Sequence, residues 1–221
     1  MKLLVNALAK FIIGLFLVGA LLFLPAGTLF YPSGWLFVAL LFIPVAVTGV
    51  VLYIKAPSLL ASRLNEKEKQ KTQKGVVGAS GIMFIVGFII PSLDFRFTWS
   101  SVPTWLITTA SVLFLVGYAL FAEVLRENEY LSRTVEVQKD QRVISTGLYG
   151  IVRHPMYLAT LFMFLPIPLI LGSFWGLIPF AIYPIVIAIR ICDEEKLLRA
   201  ELAGYEEYTK KVNYKLIPFI W

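Results

Sequence analysis

Two groups of polar side chains stand at the edges of a long apolar run in this 221-residue chain. The first group consists of Tyr149, Arg153, His154 and Tyr157, and the second of Arg190, Asp193, Glu194 and Glu195. One group offers a guanidinium, an imidazole and phenols, whereas the other is rich in carboxylates. Such a combination can bind a ligand that carries charges of both signs. The imidazole of His154, the only histidine, or a glutamate can accept a proton from it.

Each of these residues also has a simpler interpretation. His154 can be an interfacial histidine bonded to a backbone carbonyl, and Arg153 can be an anchor that reaches the lipid headgroups. Glu194 and Glu195 can form the acidic first turn of a helix, where negative charge suits the helix dipole. The functional interpretation rests on the combination, because ionisable residues at membrane edges are costly and concentrate at sites.

The elements that must position these groups are predicted to be membrane-spanning helices. The chain is 58% hydrophobic and 15% charged, with a mean hydropathy of +0.79. Four runs carry no charged residue: 11–54, 75–93, 97–122 and 155–189. Uncharged apolar runs of about 18 or more residues are typical of spans, which must be helical here because the runs lack the alternation of barrel strands.

Turn signals within these runs predict where the individual helices begin and end. Turn signals around Pro25 and Pro32 divide the first run, so the predicted helices are 8–29, 35–54, 76–91 and 103–123. The last run is broken at 171–174, which gives two short helices that form a hairpin. At about 16 residues each, they either cross a thinned region of the membrane or do not fully cross it. The predicted fold is therefore an all-α, polytopic membrane protein with about six spans, divided into N-terminal spans (1–125) and a functional region (126–221).

The distribution of basic residues predicts the orientation in the membrane. Six spans place both termini and the loops around 55–75 and 124–155 on one side, together with every lysine and arginine except Arg96. The positive-inside rule assigns this side, and with it both polar groups, to the cytoplasm. The net charge of +6 also favours contact with anionic membrane lipids. Nucleic-acid binding is not expected, because the charge lies against the membrane.

The segment after the last span is predicted to be one amphipathic helix. Within 194–212, apolar or aromatic residues recur at 198, 202, 205, 208 and 212. These spacings of three and four residues place them on one face of a helix. Such a helix either caps the bundle or lies at the membrane interface.

The polar groups are part of a longer pattern that resembles a known family. Its elements are Gln141, Gly147-Leu-Tyr149, Arg153-His154-Pro155-x-Tyr157, Glu194-Glu195, Tyr205-x-x-Tyr208-x-x-x-Val212 and Leu216-Ile217-Pro218. This pattern, over about residues 120–221, resembles the isoprenylcysteine carboxyl methyltransferases, a group that also includes phospholipid N-methyltransferases. In the tail, Lys215 stands where many members have arginine. Met156 and Leu158-Ala159 replace the small residues of the eukaryotic prenylcysteine enzymes.

The resemblance implies a membrane methyltransferase that uses S-adenosylmethionine on a lipidic or prenylated acceptor at the cytoplasmic face. Tyr149, His154, Tyr157, Glu194 and Glu195 are then the predicted cofactor-binding residues. Arg153 and Glu195 are the predicted catalytic residues. The Arg153 guanidinium can also pair with the carboxylate of the cofactor, and no metal is predicted.

Two alternatives belong to other functional classes. Membrane sterol reductases share the Arg-His-Pro-x-Tyr stretch and depend on NADPH, but they usually carry asparagine where this chain has Met156. A non-catalytic, lipid-binding membrane protein would bind no nucleotide-like cofactor. A transporter is disfavoured, because the predicted spans contain no charged residue that could relay ions or protons.

Overall fold

A computed structural model describes residues 2–64, 71–132, 134 and 136–221, without the side chains of residues 71 and 72. Over these residues the chain is helical and contains no strand. The N-terminal helices are α1 (Lys2–Ala26), α2 (Pro32–Lys55), α3 (Pro57–Leu64), α4 (Lys71–Phe97) and α5 (Thr104–Glu127). After a loop and the 3₁₀-helix Gly147–Gly150 come α6 (Pro155–Phe164), α7 (Ile167–Ile170), α8 (Leu177–Phe180), α9 (Tyr183–Glu201) and α10 (Tyr205–Lys211). The all-α prediction is confirmed.

Four of the described helices, α1, α2, α4 and α5, are long and apolar enough to cross a membrane. The 25 residues of α1 extend about 37 Å at 1.5 Å per residue, which exceeds the hydrocarbon core of about 30 Å. The four predicted N-terminal spans are thus confirmed as helices that are long and apolar enough to cross a membrane. The apolar stretch Pro155–Ile170 is shorter, so a total of six spans stays a prediction. Of the basic residues used for orientation, Lys67, Lys69 and Arg133 lie outside the described residues.

Helix α4 corrects one predicted boundary. The sequence predicted an end near Pro91, but α4 continues to Phe97 with Pro91 inside it. A proline removes one backbone hydrogen bond and crowds the carbonyl four residues earlier, here that of Gly87. Neighbouring helices can compensate for this in a membrane. Phe180 of α8 packs so closely here that a Cβ added to Gly87 would lie 2.4 Å from its ring.

The predicted bend at 171–174 is confirmed and is held by a buried carboxylate. Gly172 has a φ of +80°, a conformation that glycine adopts without strain. Asp94, at the end of α4, accepts hydrogen bonds from the Ser173 hydroxyl at 2.5 Å and from the backbone N–H of Ser100 at 2.6 Å. The hydroxyl of Tyr31 donates to the carbonyl of Leu171 at 2.6 Å. The apex of the hairpin is thereby fixed to Asp94 of α4 and to Tyr31, the residue before α2.

The main hydrophobic core draws on both sides of the predicted boundary at residue 125. Phe37 of α2 and Phe114 of α5 share one cluster with Tyr183 and Ile187 of α9. The closest helix contact is between α5 and α6, at Gly117. The division into two regions stays a prediction.

The tail corrects the prediction of one continuous helix. Helix α9 ends at Glu201, and Gly204 adopts a φ of +83° before α10 begins. This left-handed conformation interrupts an α-helix, and glycine permits it. The apolar residues of the predicted face nevertheless pack together, since Leu202, Tyr205, Tyr208 and Val212 form the buried part of one cluster.

The contact at Gly117 gives a first prediction. An added Cβ would lie 2.8 Å from the backbone nitrogen of Met163 and 2.9 Å from the carbonyl oxygen of Ala159. Backbone atoms of a packed helix cannot move aside easily, and overpacking costs about 1–3 kcal/mol. We expect Gly117→Ala to lower the thermal unfolding temperature in detergent. Gly49→Ala in α2, where a Cβ meets nothing within 4 Å, is the matched control; equal effects of the two would contradict the prediction.

Candidate active site

The hairpin brings the two predicted polar groups into direct contact. Arg153 donates to Glu195 from Nε to Oε1 at 2.6 Å and from Nη2 to Oε2 at 3.3 Å. The Nε2 atom of His154 lies 3.2 Å from the same Oε1, and because an ionised carboxylate only accepts, Nε2–H is the donor. All three residues are at least 93% buried. The expectation that the imidazole and the acidic pair meet across the hairpin is confirmed.

Residues 212–215, called the strap here, complete this contact. One guanidinium nitrogen of Arg153, Nη1, donates to the carbonyls of Val212 at 2.7 Å and Asn213 at 3.1 Å. With the two bonds to Glu195, four of the five guanidinium N–H donors have protein partners. The pairing of Arg153 with a ligand carboxylate, expected from the sequence, would therefore rest on a single remaining donor. Arg153 is placed instead to join α9, the strap and the start of α6.

The strap also binds the backbone at the start of α6. The N–H groups of Arg153 and His154 donate to the carbonyls of Tyr214 and Lys215, each at 2.9 Å. The Lys215 ammonium lies 3.9 Å from Glu195 Oε2 and 4.8 Å from the centre of the Trp221 ring. The lysine thus keeps a charge beside the acid without the two-pronged geometry of arginine.

A second chain of hydrogen bonds joins the other members of the two groups. The Tyr157 hydroxyl donates to Glu194 Oε2 at 2.5 Å and accepts from Arg190 Nε at 2.8 Å. The Arg190 guanidinium also lies 5.9 Å from the centre of the Tyr157 ring. Asp193 is directed elsewhere, because its carboxylate accepts from Gln73 of α4 at 2.8 Å. Of the eight polar residues in the two groups, six line a single cavity, and Glu195 bonds to two of these six. Asp193 bonds to Gln73 instead.

A cavity opens beside these contacts. Its lining includes five of the predicted site residues, Tyr149, Arg153, His154, Tyr157 and Glu194, and also Arg190. The cavity has a volume of about 100 Å³ and is partly open to its surroundings. Glu195 is not part of the lining, because its carboxylate is turned towards Arg153 and His154. Among the described residues, no group of three or more His, Cys, Asp or Glu side chains is arranged to hold a metal ion.

The electrostatics distinguish the two glutamates. Burial by itself raises the pKa of the Glu195 carboxyl, but hydrogen bonds from His154 and Arg153 and the nearby positive charge outweigh it. The pKa falls from its ordinary value of 4.5 to about 2. Glu195 is therefore ionised at any physiological pH and is a poor proton acceptor. Glu194 has one oxygen bonded to Tyr157 and lines the cavity, which makes it the better placed base.

Several residues that hold the site were missed by the sequence reasoning. The amide of Asn128 donates to the Tyr149 hydroxyl at 2.8 Å, and the Tyr208 hydroxyl donates to the Tyr149 carbonyl at 2.6 Å. The carboxylate of Glu127 accepts from the N–H of Leu148 at 3.0 Å. Only Tyr208 belonged to a motif. Glu127 ends α5 and Asn128 follows it, in a polar stretch like those at many helix ends, so no signal in the sequence marked them.

Comparison with known proteins identifies the region that carries the site. Residues 105–203 match the family model described as phospholipid methyltransferase. The match covers α5 to α9, with both polar groups and the hairpin that joins them, whereas the strap lies beyond it. No curated protein matches the chain.

Proposed function

We propose, from the match of residues 105–203 to the phospholipid methyltransferase family model, that this protein is a membrane methyltransferase that takes its methyl group from S-adenosylmethionine. The acceptor is a lipidic molecule that reaches the site from the bilayer. The observation that supports the proposal best is the cavity beside the hairpin, because it joins carboxylate, arginine and tyrosine side chains at the end of the spans. A soluble, charged cofactor and an apolar acceptor can meet at such a boundary.

The lining residues fit the charged groups of this cofactor. S-adenosylmethionine has an ammonium and a sulfonium, which are cations, and one carboxylate. Glu194 can accept from the ammonium or from a ribose hydroxyl, and Arg190 is placed on the opposite side of the Tyr157 hydroxyl. The ring of Tyr157 can attract the sulfonium through its negative face. The chemistry of the donor set is therefore compatible with the proposed cofactor.

Different side chains have different roles in the proposed reaction. When bound, the cofactor would supply an activated methyl group, which passes to the acceptor as the carbon–sulfur bond breaks and S-adenosylhomocysteine leaves. The protein has to orient the acceptor atom behind that methyl, which can contribute about 7 kcal/mol or more. A carboxylate acceptor needs no base, whereas an amine or a thiol has to lose a proton. For those acceptors we assign proton removal to Glu194, and we assign a positioning role to Glu195 and Arg153.

The test is direct binding to the purified protein in detergent. Calorimetry with S-adenosylhomocysteine is expected to show saturable binding that His154→Ala weakens, and NADPH is expected to show none. Transfer of a labelled methyl group from S-adenosylmethionine to extracted lipids would then identify the acceptor class. Binding of NADPH alone would favour the reductase alternative. Binding of neither compound would favour a non-catalytic lipid-binding protein.

The proposal places the site on the cytoplasmic side. It is supported by the positive-inside distribution, in which Arg96 alone lies on the opposite side. Single cysteines introduced in a Cys192→Ser background test it, because Lys139 and Thr98 are exposed at opposite ends of the spans. Lys139→Cys is expected to react with an impermeant thiol reagent only from the cytoplasm, and Thr98→Cys only from outside. The reverse labelling pattern would invert the topology.

A further inference from the structure

The hydroxyl of Tyr205 has no partner among the described residues. Tyr205 begins α10, is 4% exposed and lines the cavity. Within the part of the chain that the structure describes, its hydroxyl oxygen is one of two buried side-chain polar atoms without a hydrogen bond; the other, Oε1 of Gln73, does not belong to a residue that lines the cavity. Buried polar groups are almost always bonded. The unsatisfied hydroxyl at the cavity therefore indicates that a group inside the cavity bonds to it.

Tyr208 provides the internal comparison. It lies one helical turn after Tyr205, is 5% exposed and lines the same cavity. Its hydroxyl, however, donates to the carbonyl of Tyr149 at 2.6 Å. Two tyrosines of the same short helix thus face one cavity, and only one of them is bonded to the protein.

The wall around Tyr205 is apolar. Val143, Leu198 and Leu202 line the cavity, and all three pack in the same cluster as Tyr205 and Tyr208. Of the charged lining residues, Arg153, Arg190 and Glu194 belong to the contact between α9 and the start of α6, whereas Glu136 and Arg142 lie in the loop before the 3₁₀-helix. A flat, uncharged ring fits the apolar wall, whereas an amino acid group fits the charged side.

The surroundings of Tyr205 also determine what its hydroxyl can bond. Burial raises the pKa of the phenol, and the negative charges of Glu195 and Glu194 raise it further. The hydroxyl is therefore protonated and acts as a donor. The positive charge of Arg153 offsets part of this effect, but the two carboxylates outweigh it, so an uncharged acceptor is favoured over an anionic one.

We propose that the Tyr205 hydroxyl donates a hydrogen bond to an uncharged acceptor of the adenosyl group of the methyl donor, either a ring nitrogen or a ribose oxygen. This assignment rests on the proposed function. It makes α10 part of the binding site, with a residue that fixes the nucleoside end of the ligand, and it leaves Tyr208 as a structural support.

The experiment measures competition against labelled S-adenosylhomocysteine for two unlabelled compounds, S-adenosylhomocysteine and 5′-methylthioadenosine. The second compound has the nucleoside but lacks the amino acid group. Wild type, Tyr205→Phe and Tyr208→Phe are compared, and the unfolding temperature of each protein is recorded without ligand. Tyr205→Phe is expected to weaken both compounds by the same factor, about three- to tenfold, which is typical for the loss of one neutral hydrogen bond. Its unfolding temperature should equal or exceed that of the wild type, whereas Tyr208→Phe should unfold at a lower temperature.

Each other outcome overturns the assignment. Weakening of S-adenosylhomocysteine alone would place the contact at the amino acid group, and unchanged affinities would remove the contact. A lower unfolding temperature for Tyr205→Phe would show that the hydroxyl bonds to the protein. Failure of 5′-methylthioadenosine to compete would exclude a nucleoside site. If the wild type bound no S-adenosylhomocysteine, the proposed function would fail first and this assignment with it.

Discussion

Replacement of Glu195 by glutamine is expected to lower the free energy of unfolding by about 3–5 kcal/mol, the usual cost of removing one partner from a buried ion pair. The carboxylate is the shared acceptor for Arg153 and His154, and Lys215 lies within 3.9 Å of it. Glutamine would leave a buried guanidinium with its charge uncompensated. Thermal unfolding of the variant in detergent measures the effect.

The matched control is Glu206→Gln, which removes the acid of an exposed pair with Arg199. Exposed pairs contribute about 0–1 kcal/mol, so this variant should unfold close to the wild type. Equal unfolding temperatures for Glu195→Gln and the wild type would show that the buried contact does not support the fold.

The difference in stability between the wild type and Glu195→Gln is expected to depend on pH. Because the pKa of Glu195 is lowered from 4.5 to about 2 in the folded protein, the carboxylate contributes stability that is fully present above pH 4.5. This contribution is lost as the pH falls from about 4.5 to about 2. The difference in unfolding temperature between wild type and Glu195→Gln should therefore be constant near neutral pH and should narrow through this acid range. A difference that widened on acidification would contradict the assigned pKa shift.

Replacement of Glu194 by glutamine is expected to weaken binding of S-adenosylhomocysteine by about 10- to 150-fold, the range for loss of one hydrogen bond to a charged group. Glu194 lines the cavity, and Tyr157 orients its carboxylate. Glutamine keeps the size of the side chain but loses the charge that would pair with the ligand ammonium. Calorimetry gives the affinity.

Asp193→Asn is the control for this variant, because Asp193 precedes Glu194 directly and its carboxylate is bonded to Gln73 rather than placed in the cavity. It is expected to change the affinity less than threefold, a difference of about 0.6 kcal/mol. Equal losses of affinity in the two variants would indicate a general effect of charge at the start of the tail, and the assignment of Glu194 would then be wrong.

Local patterns in the sequence predicted the four long helices, the hairpin bend and the meeting of the two polar groups. Long uncharged runs specify spans because hydrocarbon requires internal hydrogen bonding, and the bend at Gly172 had a turn signal of its own. Once the bend is given, Arg153 and Glu195 must return to the same end of the bundle. Tyr157 and Glu194 were predicted as site residues because they belong to the two polar groups and to the pattern that resembles the family.

The features that the sequence did not predict depend on contacts between distant segments. Asp94 stands among ordinary residues at a span end, and only the folded hairpin brings Ser173 to it. The strap acts through its backbone carbonyls, which every residue type possesses. The extension of α4 past Pro91 depends on neighbouring helices, and the break at Gly204 became evident only from its positive φ.

The pairing of Arg153 has a consequence for the order in which the protein is made. Its acid partner is 42 residues later in the chain and its first carbonyl partner 59 residues later. A ribosome therefore delivers the guanidinium well before the groups that neutralise it. Since an unpaired charge in a low-dielectric interior is costly, the start of α6 has to stay in contact with water during synthesis, and it can settle into its final position only when α9 and the segment behind α10 have emerged.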